Sequence, residues 1–415
     1  MTRRPWSPAQ AEAYLRSLEL FGMRFGLDRM HRLMTAMGSP QRRFESIHVV
    51  GTNGKSSTVR MIAAILERHG VRTGAYLSPH LASFSERVRV GERDLDEGAF
   101  AVAVERAAHA AALVDRTLAE GDRVTQFEAL TAAAYGELAA RGVDVAVVEA
   151  GLGGRYDATN VLPSRVQVLT NVGLEHTRWL GPTVTDIARE KLAVVRDGGT
   201  LVVGVLDPEA EAEARAAAAR HDARLVHAAA DPGVALAAGG AFQRPNFALA
   251  RAAAEAFLGE LDETAVARAA AEVTVPGRYE VVAREPLTVV DGAHNPSGVA
   301  ALVASLPAAA TGSLVAVVSI LDDKDAAGML RALLPACRAV VFTSNPNPRA
   351  LPPATLESLA RQLGFSEDAE VVGDPERALD RARGLAGPGG MVLATGSIYL
   401  VAGLAGVRRA RAQMT

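Results

Sequence analysis

Lysine is nearly absent from this 415-residue chain, with three copies against forty-one arginines. Arginine replaces lysine wherever a solvated positive charge is enough, so a lysine kept in such a background suggests a need for a compact ammonium or a titratable amine. GC-rich codon usage thins out Lys and Asn generally, but it does not decide where the survivors stand. Cysteine is scarcer still: Cys337 alone excludes an internal disulfide and cannot by itself make a thiolate metal site. Aromatic residues make up 5%, and no apolar run is long enough to span a bilayer. The net charge of −3 supplies no basic field for nucleic acid or an anionic membrane. The opening Met1-Thr-Arg-Arg-Pro-Trp-Ser-Pro8 leads into Ala-Glu-Ala-Tyr rather than an apolar signal core. These absences predict an unanchored protein of a reducing cytoplasm.

What is present is material for large cores. Hydrophobic residues make up 49% and charged residues 22%, and the length suits two or three domains. Short β-branched runs alternate with Ala-rich helical stretches, the pattern of parallel α/β sheets. Ile47–Val50, Val143–Val148, Val166–Thr170 and Leu201–Val205 are the clearest strands of a first series. Leu287–Val290, Leu314–Ser319, Ala339–Thr343, Val371-Val372 and Met391–Ala394 form a second. Between them lies the turn-rich Val275-Pro-Gly-Arg-Tyr279, and the spacing places a border near residue 284, giving domains of 1–284 and 285–415. Pro208–Arg220 reads as a surface helix.

Chemistry begins where the strand Ile47–Val50 runs into Gly51-Thr-Asn-Gly-Lys-Ser-Ser57 and then a helix through Arg68. Backbone amides and a helix N-terminus converge on that loop, an arrangement that wraps phosphates. Gly51 and Gly54 permit the tight turn, Lys55 reaches terminal phosphates, and a hydroxyl of Ser56 or Ser57 approaches a metal ion. The loop is shorter than the common P-loop consensus, because Val49 stands where its first glycine would be.

A second strand, Val143–Val148, ends in Glu149 and continues as Ala-Gly-Leu-Gly-Gly-Arg-Tyr-Asp157-Ala-Thr-Asn160. The carboxyl ends of strands line the ligand crevice of an open α/β sheet, so Glu149 should face the phosphate loop, where a hard oxygen ligand would hold Mg²⁺. The glycines permit close backbone approach to a substrate. A third strand ends in Asn171-Val-Gly-Leu-Glu-His176, and Lys191 follows on a helix beginning near Thr183 to Asp186. Burial beside cations would depress the lysine pKa and free a neutral amine to take up CO₂ as a carbamate, which arginine cannot form.

Together these residues resemble the folylpolyglutamate synthase and dihydrofolate synthase family, close relatives of the Mur peptide ligases. The ordered set is Phe25-Gly-Leu-Asp-Arg29, Gly51 to Lys55, Ser78-Pro-His-Leu81 with Glu86-Arg87, Thr125-Gln-Phe-Glu128, Glu149 to Arg155 with Asp157 to Asn160, Asn171 to His176, Glu190-Lys191, Pro276-Gly-Arg278 and Asp291-Gly-Ala-His-Asn-Pro296. The resemblance implies an α/β protein with an N-terminal P-loop ATPase domain and a smaller C-terminal Rossmann-like domain. It implies an ATP-dependent ligase that joins glutamate to a pteridine carboxylate through an acyl phosphate, and bacterial relatives often combine dihydrofolate synthesis with polyglutamate extension. Carried over, Thr52, Asn53, Gly54, Lys55, Ser56 and Ser57 look like the ATP phosphate loop, and Ser78, Glu149 and His176 look like Mg²⁺ ligands. Lys191 is similar to the family's carbamylated lysine. Asn246, Arg278, Asp291 and His294 would serve ATP from the interdomain side, and Thr125, Gln126, Phe127 and Glu128 with Tyr156, Asp157 and Ala158 look like pteridine-pocket positions. The implied partners are ATP, L-glutamate and a folate or dihydropteroate, with a monovalent cation such as K⁺ left open and a monomer as the family tendency.

Two positions depart from the family pattern: Ser56 stands where the phosphate loop commonly has another glycine, and Gln126 where an aromatic is frequent. A Mur-type ligase is the nearest alternative, although only about fifty residues precede the phosphate loop, where Mur enzymes carry a leading domain. A GTPase switch would need an Asn-Lys-x-Asp loop, and no lysine has that context. A non-catalytic nucleotide-binding scaffold would not need Glu149, His176 and Lys191 as well. Lys324, in Leu321-Asp-Asp-Lys-Asp325 after a strand, suits either a solvated loop or a glutamate or phosphate contact.

Overall fold

Runs of Val, Ile and Leu with no polar alternation form strands buried on both faces, and such strands take parallel neighbours covered by crossover helices. The computed structural model describes residues 4–18, 26–310 and 313–404; Phe25 of the first family motif lies outside the described residues. It divides into one unit of Met1–Ala235 with Pro245–Val273 and another of Leu236–Arg244 with Thr274–Thr415.

Among the described residues the first unit carries eight strands: β1 Glu45–Val50, β2 Thr73–Tyr76, β3 Val88–Val90, β4 Arg93–Asp94, β5 Val145–Glu149, β6 Val166–Leu169, β7 Thr200–Val203 and β8 Arg224–His227. Their order is β4-β3-β2-β5-β1-β6-β7-β8. The segment from β2 to β8 is parallel throughout, and β3 and β4 add an antiparallel edge. β1 is therefore central, and its exit lies between those of β5 and β6. The helices Glu97–Asp115 and Gln126–Ala140 pack on each other through alanines, whose small side chains allow close approach.

The second unit carries six: β9 Glu280–Arg284, β10 Leu287–Val290, β11 Leu314–Val318, β12 Cys337–Phe342, β13 Asp368–Val371 and β14 Met391–Thr395. Their order is β13-β12-β11-β14-β10-β9, parallel except for the β9–β10 pair. Because β9 pairs with β10, the strand just before residue 284 belongs to this second sheet, and the division between units falls at 273/274. The strand expected at Val371-Val372 occupies Asp368–Val371, and the short strands β2, β3, β4, β8 and β9 have no counterpart among the sequence-based expectations. Pro208–Arg220 is a helix as expected. Cys337 is buried, and burial pushes its thiol up to about 12, so it behaves as a small core hydrophobe.

Gly74 in β2 tests this packing. A Cβ there would stand 2.5 Å from a Leu138 methyl. Gly74→Ala should destabilise by about 1–3 kcal/mol through overpacking. Combined with Leu138→Ala, it should cost clearly less than the two single changes summed, read as urea-denaturation midpoints.

Candidate active site

The helix Lys55–Arg68 starts one residue after Gly54, which takes a left-handed φ of 84° as its N-cap. A Cβ on Gly54 would overlap the Asn246 amide, and one on Gly51 would overlap the Thr170 hydroxyl. Both glycines are thus required by close approach as well as by backbone angle. The loop is docked onto the exit of β6: Asn171 Oδ1 accepts from Asn53 N at 2.9 Å, and Asn171 Nδ2 donates to Asn53 O at 3.2 Å. Thr170 Oγ1 donates to Asn53 O at 2.6 Å, and Thr52 N donates to Asn171 O at 2.9 Å.

Ser56 falls inside the first helical turn, where an ordinary helical backbone suits serine, so the missing glycine causes no strain. Its hydroxyl donates to Glu149 Oε1 at 2.9 Å, while Ser78 N donates to Glu149 Oε2 at 3.1 Å. Glu149, 2% exposed at the end of β5, therefore does face the phosphate loop, joining Ser56 and Ser78 in one cluster. Carboxylate and hydroxyl oxygens are the hard donors that a small divalent cation takes, so the residues present fit such an ion. Among the described residues no three His, Cys, Asp or Glu side chains form a closed metal cluster. His176 sits at a left-handed φ of 53° as N-cap of the short helix Thr177–Leu180, with Nε2 3.7 Å from Glu175 Oε1. Ser57 is buried.

Lys191 lies on the helix Val184–Leu192, whose N-terminus is closed by a capping box of Thr183 and Asp186. Its Nζ donates to Gly51 O at 2.8 Å, and Lys55 Nζ reaches the same oxygen at 3.1 Å. Burial, then the charge of Lys55, lower the Lys191 pKa from 10.5 to about 7, against the pull of Glu175 and Asp157. The amine is thus substantially neutral near pH 7, as chemistry with CO₂ requires.

The glycine-rich loop after β5 is pinned by what its glycines touch. A Cβ on Gly151 would meet the Phe127 ring at 2.6 Å, and one on Gly154 would meet Lys191 O at 2.5 Å. Asp157 is buried and takes Leu152 N at 2.8 Å and Thr159 N at 3.0 Å. Burial raises its pKa, opposed by those bonds. Tyr156 is 38% exposed. Thr125 and Glu128 form the capping box of the helix Gln126–Ala140, Glu128 pairs with Arg29 at 3.2 Å, and Gln126 Nε2 donates to Leu15 O at 2.8 Å. These three side chains are engaged in holding structure, and Phe127 stacks on Tyr76 with ring centroids 6.1 Å apart.

In the second unit, buried Asp291 accepts from Tyr279 N at 2.8 Å and Ala293 N at 2.7 Å, organising the turn that carries Arg278. Burial raises the Asp291 pKa, opposed by Arg278. His294 Nδ1 lies 2.9 Å from Gly292 O. Around Lys324, Asp325 caps the helix Ala326–Leu333 and Asp323 pairs with Arg349 at 3.1 Å, so two of that loop's charges have structural tasks.

Sequence reasoning missed the docking role of Thr170 and Asn171. It also missed Arg60, whose pKa burial and Arg89 lower to about 10, opposed by Asp94, Glu86 and Glu149. Scarcity of asparagine could have flagged Asn171; nothing in the local sequence distinguishes Arg60.

Family comparison agrees with this geometry. Residues 49–279 match the Mur ligase middle domain and residues 277–398 the Mur ligase glutamate ligase domain. The chain is 36% identical to the Mycobacterium tuberculosis dihydrofolate synthase/folylpolyglutamate synthase, covering 81% of this chain and 77% of that protein. It is 35% identical to a probable bifunctional folylpolyglutamate synthase/dihydropteroate synthase of Haloferax volcanii over 95% of its own length, but spans only 49% of that longer protein. Among solved structures, Mycobacterium tuberculosis folylpolyglutamate synthase complexed with ADP and AMPPCP superposes with a TM-score of 0.89 at 32% identity, covering 96% of this chain and 97% of that one. Escherichia coli FolC in complex with DHPP and ADP gives 0.87 at 29%, with 98% of each chain covered. The Yersinia pestis bifunctional enzyme complexed with AMPPNP and Mn gives 0.86 at 29%, covering 98% of this chain and 100% of that one.

The Lys191 geometry predicts a pH signature. A depressed native pKa means the unfolded chain binds more protons between about pH 7 and pH 10.5, so this group makes stability rise with pH across that window. Unfolding free energy of the native protein should therefore gain on that of Lys191→Met as pH increases from 7 to 9.5, and parallel curves would contradict the shift.

Proposed function

The chain belongs to the folylpolyglutamate synthase/dihydrofolate synthase family of the Mur ligase superfamily, and on that premise we propose that it is an ATP-dependent ligase adding L-glutamate to both dihydropteroate and tetrahydrofolates. The observation that supports this best is the meeting of Lys55 and Lys191 on the Gly51 carbonyl beside the Glu149 cluster.

A carboxylate is a poor electrophile. In the proposed reaction an oxygen of the pteridine substrate's carboxylate attacks the γ-phosphorus of ATP, ADP leaves, and an acyl phosphate forms. The α-amine of glutamate then attacks the acyl carbon, inorganic phosphate departs and the amine gives up a proton. Amides of Thr52 to Ser57 cradle the phosphates and Lys55 neutralises charge that moves onto the leaving oxygen. Ser78, Glu149 and His176 would hold Mg²⁺, which when bound spreads phosphate charge. The neutral Lys191 nitrogen attacks CO₂ and releases a proton, leaving an anionic carbamate. Asn246 abuts the phosphate loop through Gly54 and is assigned to the nucleotide, as are Arg278, Asp291 and His294 of the second unit. Thr125, Gln126, Phe127 and Glu128, with Tyr156, Asp157 and Ala158, are assigned to the pteridine, Thr125 and Glu128 also capping the helix Gln126–Ala140. The proposed ligase acts as a monomer in the cytoplasm; among the described residues no helix is long and apolar enough to cross a membrane.

ADP release with Mg-ATP and glutamate, run in parallel on dihydropteroate, tetrahydrofolate and a UDP-muramyl substrate, tests the assignment. Turnover of both pteridines is expected, and turnover of the muramyl compound alone would indicate a Mur-type ligase. Lys191→Ala should lose nearly all turnover while binding ATP almost normally, with short carboxylic acids restoring part of the rate.

A further inference from the structure

His48 lies in the middle of β1, fully buried between β5 and β6, and takes no part in the reaction described above. Its Nε2 stands 2.8 Å from Thr159 Oγ1, and the Thr159 hydroxyl in turn contacts Asp157 Oδ1. Direction follows from chemistry. An ionised carboxylate only accepts, so the Thr159 hydroxyl donates to Asp157 and must receive from His48, which places the imidazole hydrogen on Nε2. Nδ1 is then a bare acceptor, and it has no partner in the interior. An orphaned buried acceptor is costly, so retaining a histidine here calls for a task that an apolar core residue could not perform. Burial and the nearby Arg196 hold the ring well into its neutral form, at a pKa of about 3, so the task is not charge.

The far end of the chain shows the task. Asp157 carries the turn of the glycine-rich loop: one oxygen takes Leu152 N, the other takes Thr159 N and the Thr159 hydroxyl. Tyr135, from the helix beneath, adds a hydroxyl bond to Thr159 O at 3.2 Å. Without the His48 donor the Thr159 hydroxyl would be free to rotate away, leaving Asp157 desolvated with fewer donors. On the reading that Tyr156 to Ala158 line the pteridine pocket, we propose that His48 is a positioning residue, which orients the Asp157 turn through the Thr159 hydroxyl and thereby sets affinity for the pteridine substrate.

Steady-state kinetics of His48→Leu and His48→Gln separate this from a packing role. Leucine removes the donor. Glutamine keeps an N–H at the same reach. Loss of an orienting partner behind a binding group typically costs tenfold or more, so His48→Leu should raise KM for the pteridine by about tenfold with KM for ATP within about twofold. His48→Gln should restore the pteridine KM to within about threefold of the native value. If His48→Leu fails to fold, Thr159→Val against Thr159→Ser makes the same comparison from the other side of the bond. An unchanged pteridine KM in His48→Leu or Thr159→Val, or an equal rise for ATP and pteridine, would overturn the role. Failure of the native protein to turn over any pteridine would instead sink the functional reading itself.

Discussion

One carbonyl oxygen organises the candidate site. Gly51 O receives both Lys55, four residues on, and Lys191, 140 residues on, and it can do so because β1 ends between β5 and β6. Two full ammonium charges so close to one acceptor and shielded from water would repel strongly. The conflict is relieved by the buried partner giving up its proton, since desolvation already disfavours the charged form of Lys191 before Lys55 acts on it. Lys55, at the end of the phosphate loop, is only partly buried and also reaches Thr52 O at 3.1 Å. A single backbone group thus brings together a partly buried lysine and a buried one whose amine titrates near neutrality.

That oxygen stays in place only because the loop bearing it cannot move. Asn171 bonds Asn53 through both ends of its amide, Thr170 closes on the same residue, and Gly51 and Gly54 lie where any side chain would collide with Thr170 or Asn246. The loop after β5 is restrained in the same manner, with Gly151 under the Phe127 ring and Gly154 against the backbone of Lys191. Both loops are held by close approach to their glycines, from the side chains of Thr170, Asn246 and Phe127 and from the backbone of Lys191. A phosphate cradle needs this, because its donors must stand in place before charge develops.

The sequence discloses those parts of the fold whose signal is local. A β-branched run, two glycines, a lysine and a helix make the phosphate loop recognisable without a structure, and the scarcity of lysine singles out Lys191. β10 is read to the residue because its run is apolar and bounded by turns, whereas β2, Thr-Gly-Ala-Tyr, has neither length nor pattern. β9 is hidden for another reason: its membership of the second sheet depends on antiparallel pairing with β10, which no local pattern encodes. The same limit applies to the site. Ser56 meets Glu149, and Lys191 meets Gly51, across 93 and 140 residues, contacts that exist only once the strand order is known. Thr125 to Glu128 carries two readings at once, since a Thr-x-x-Glu capping box and a binding motif look alike on paper.

Glu149 and Asp157 bracket one loop, yet their surroundings drive them to different ends. Both are buried carboxylates, and burial raises the Asp157 pKa. Asp157 holds the turn it belongs to, taking Leu152 N on one oxygen and Thr159 N on the other. Glu149 takes the Ser56 hydroxyl on one oxygen and the Ser78 amide on the other, bonds that tie the end of β5 to two other segments. The Ser56 and Ser78 donors of Glu149 come from elsewhere in the chain, whereas the Leu152 and Thr159 donors of Asp157 come from its own turn. Burial fraction does not separate these two acids; the segments that supply these donors do.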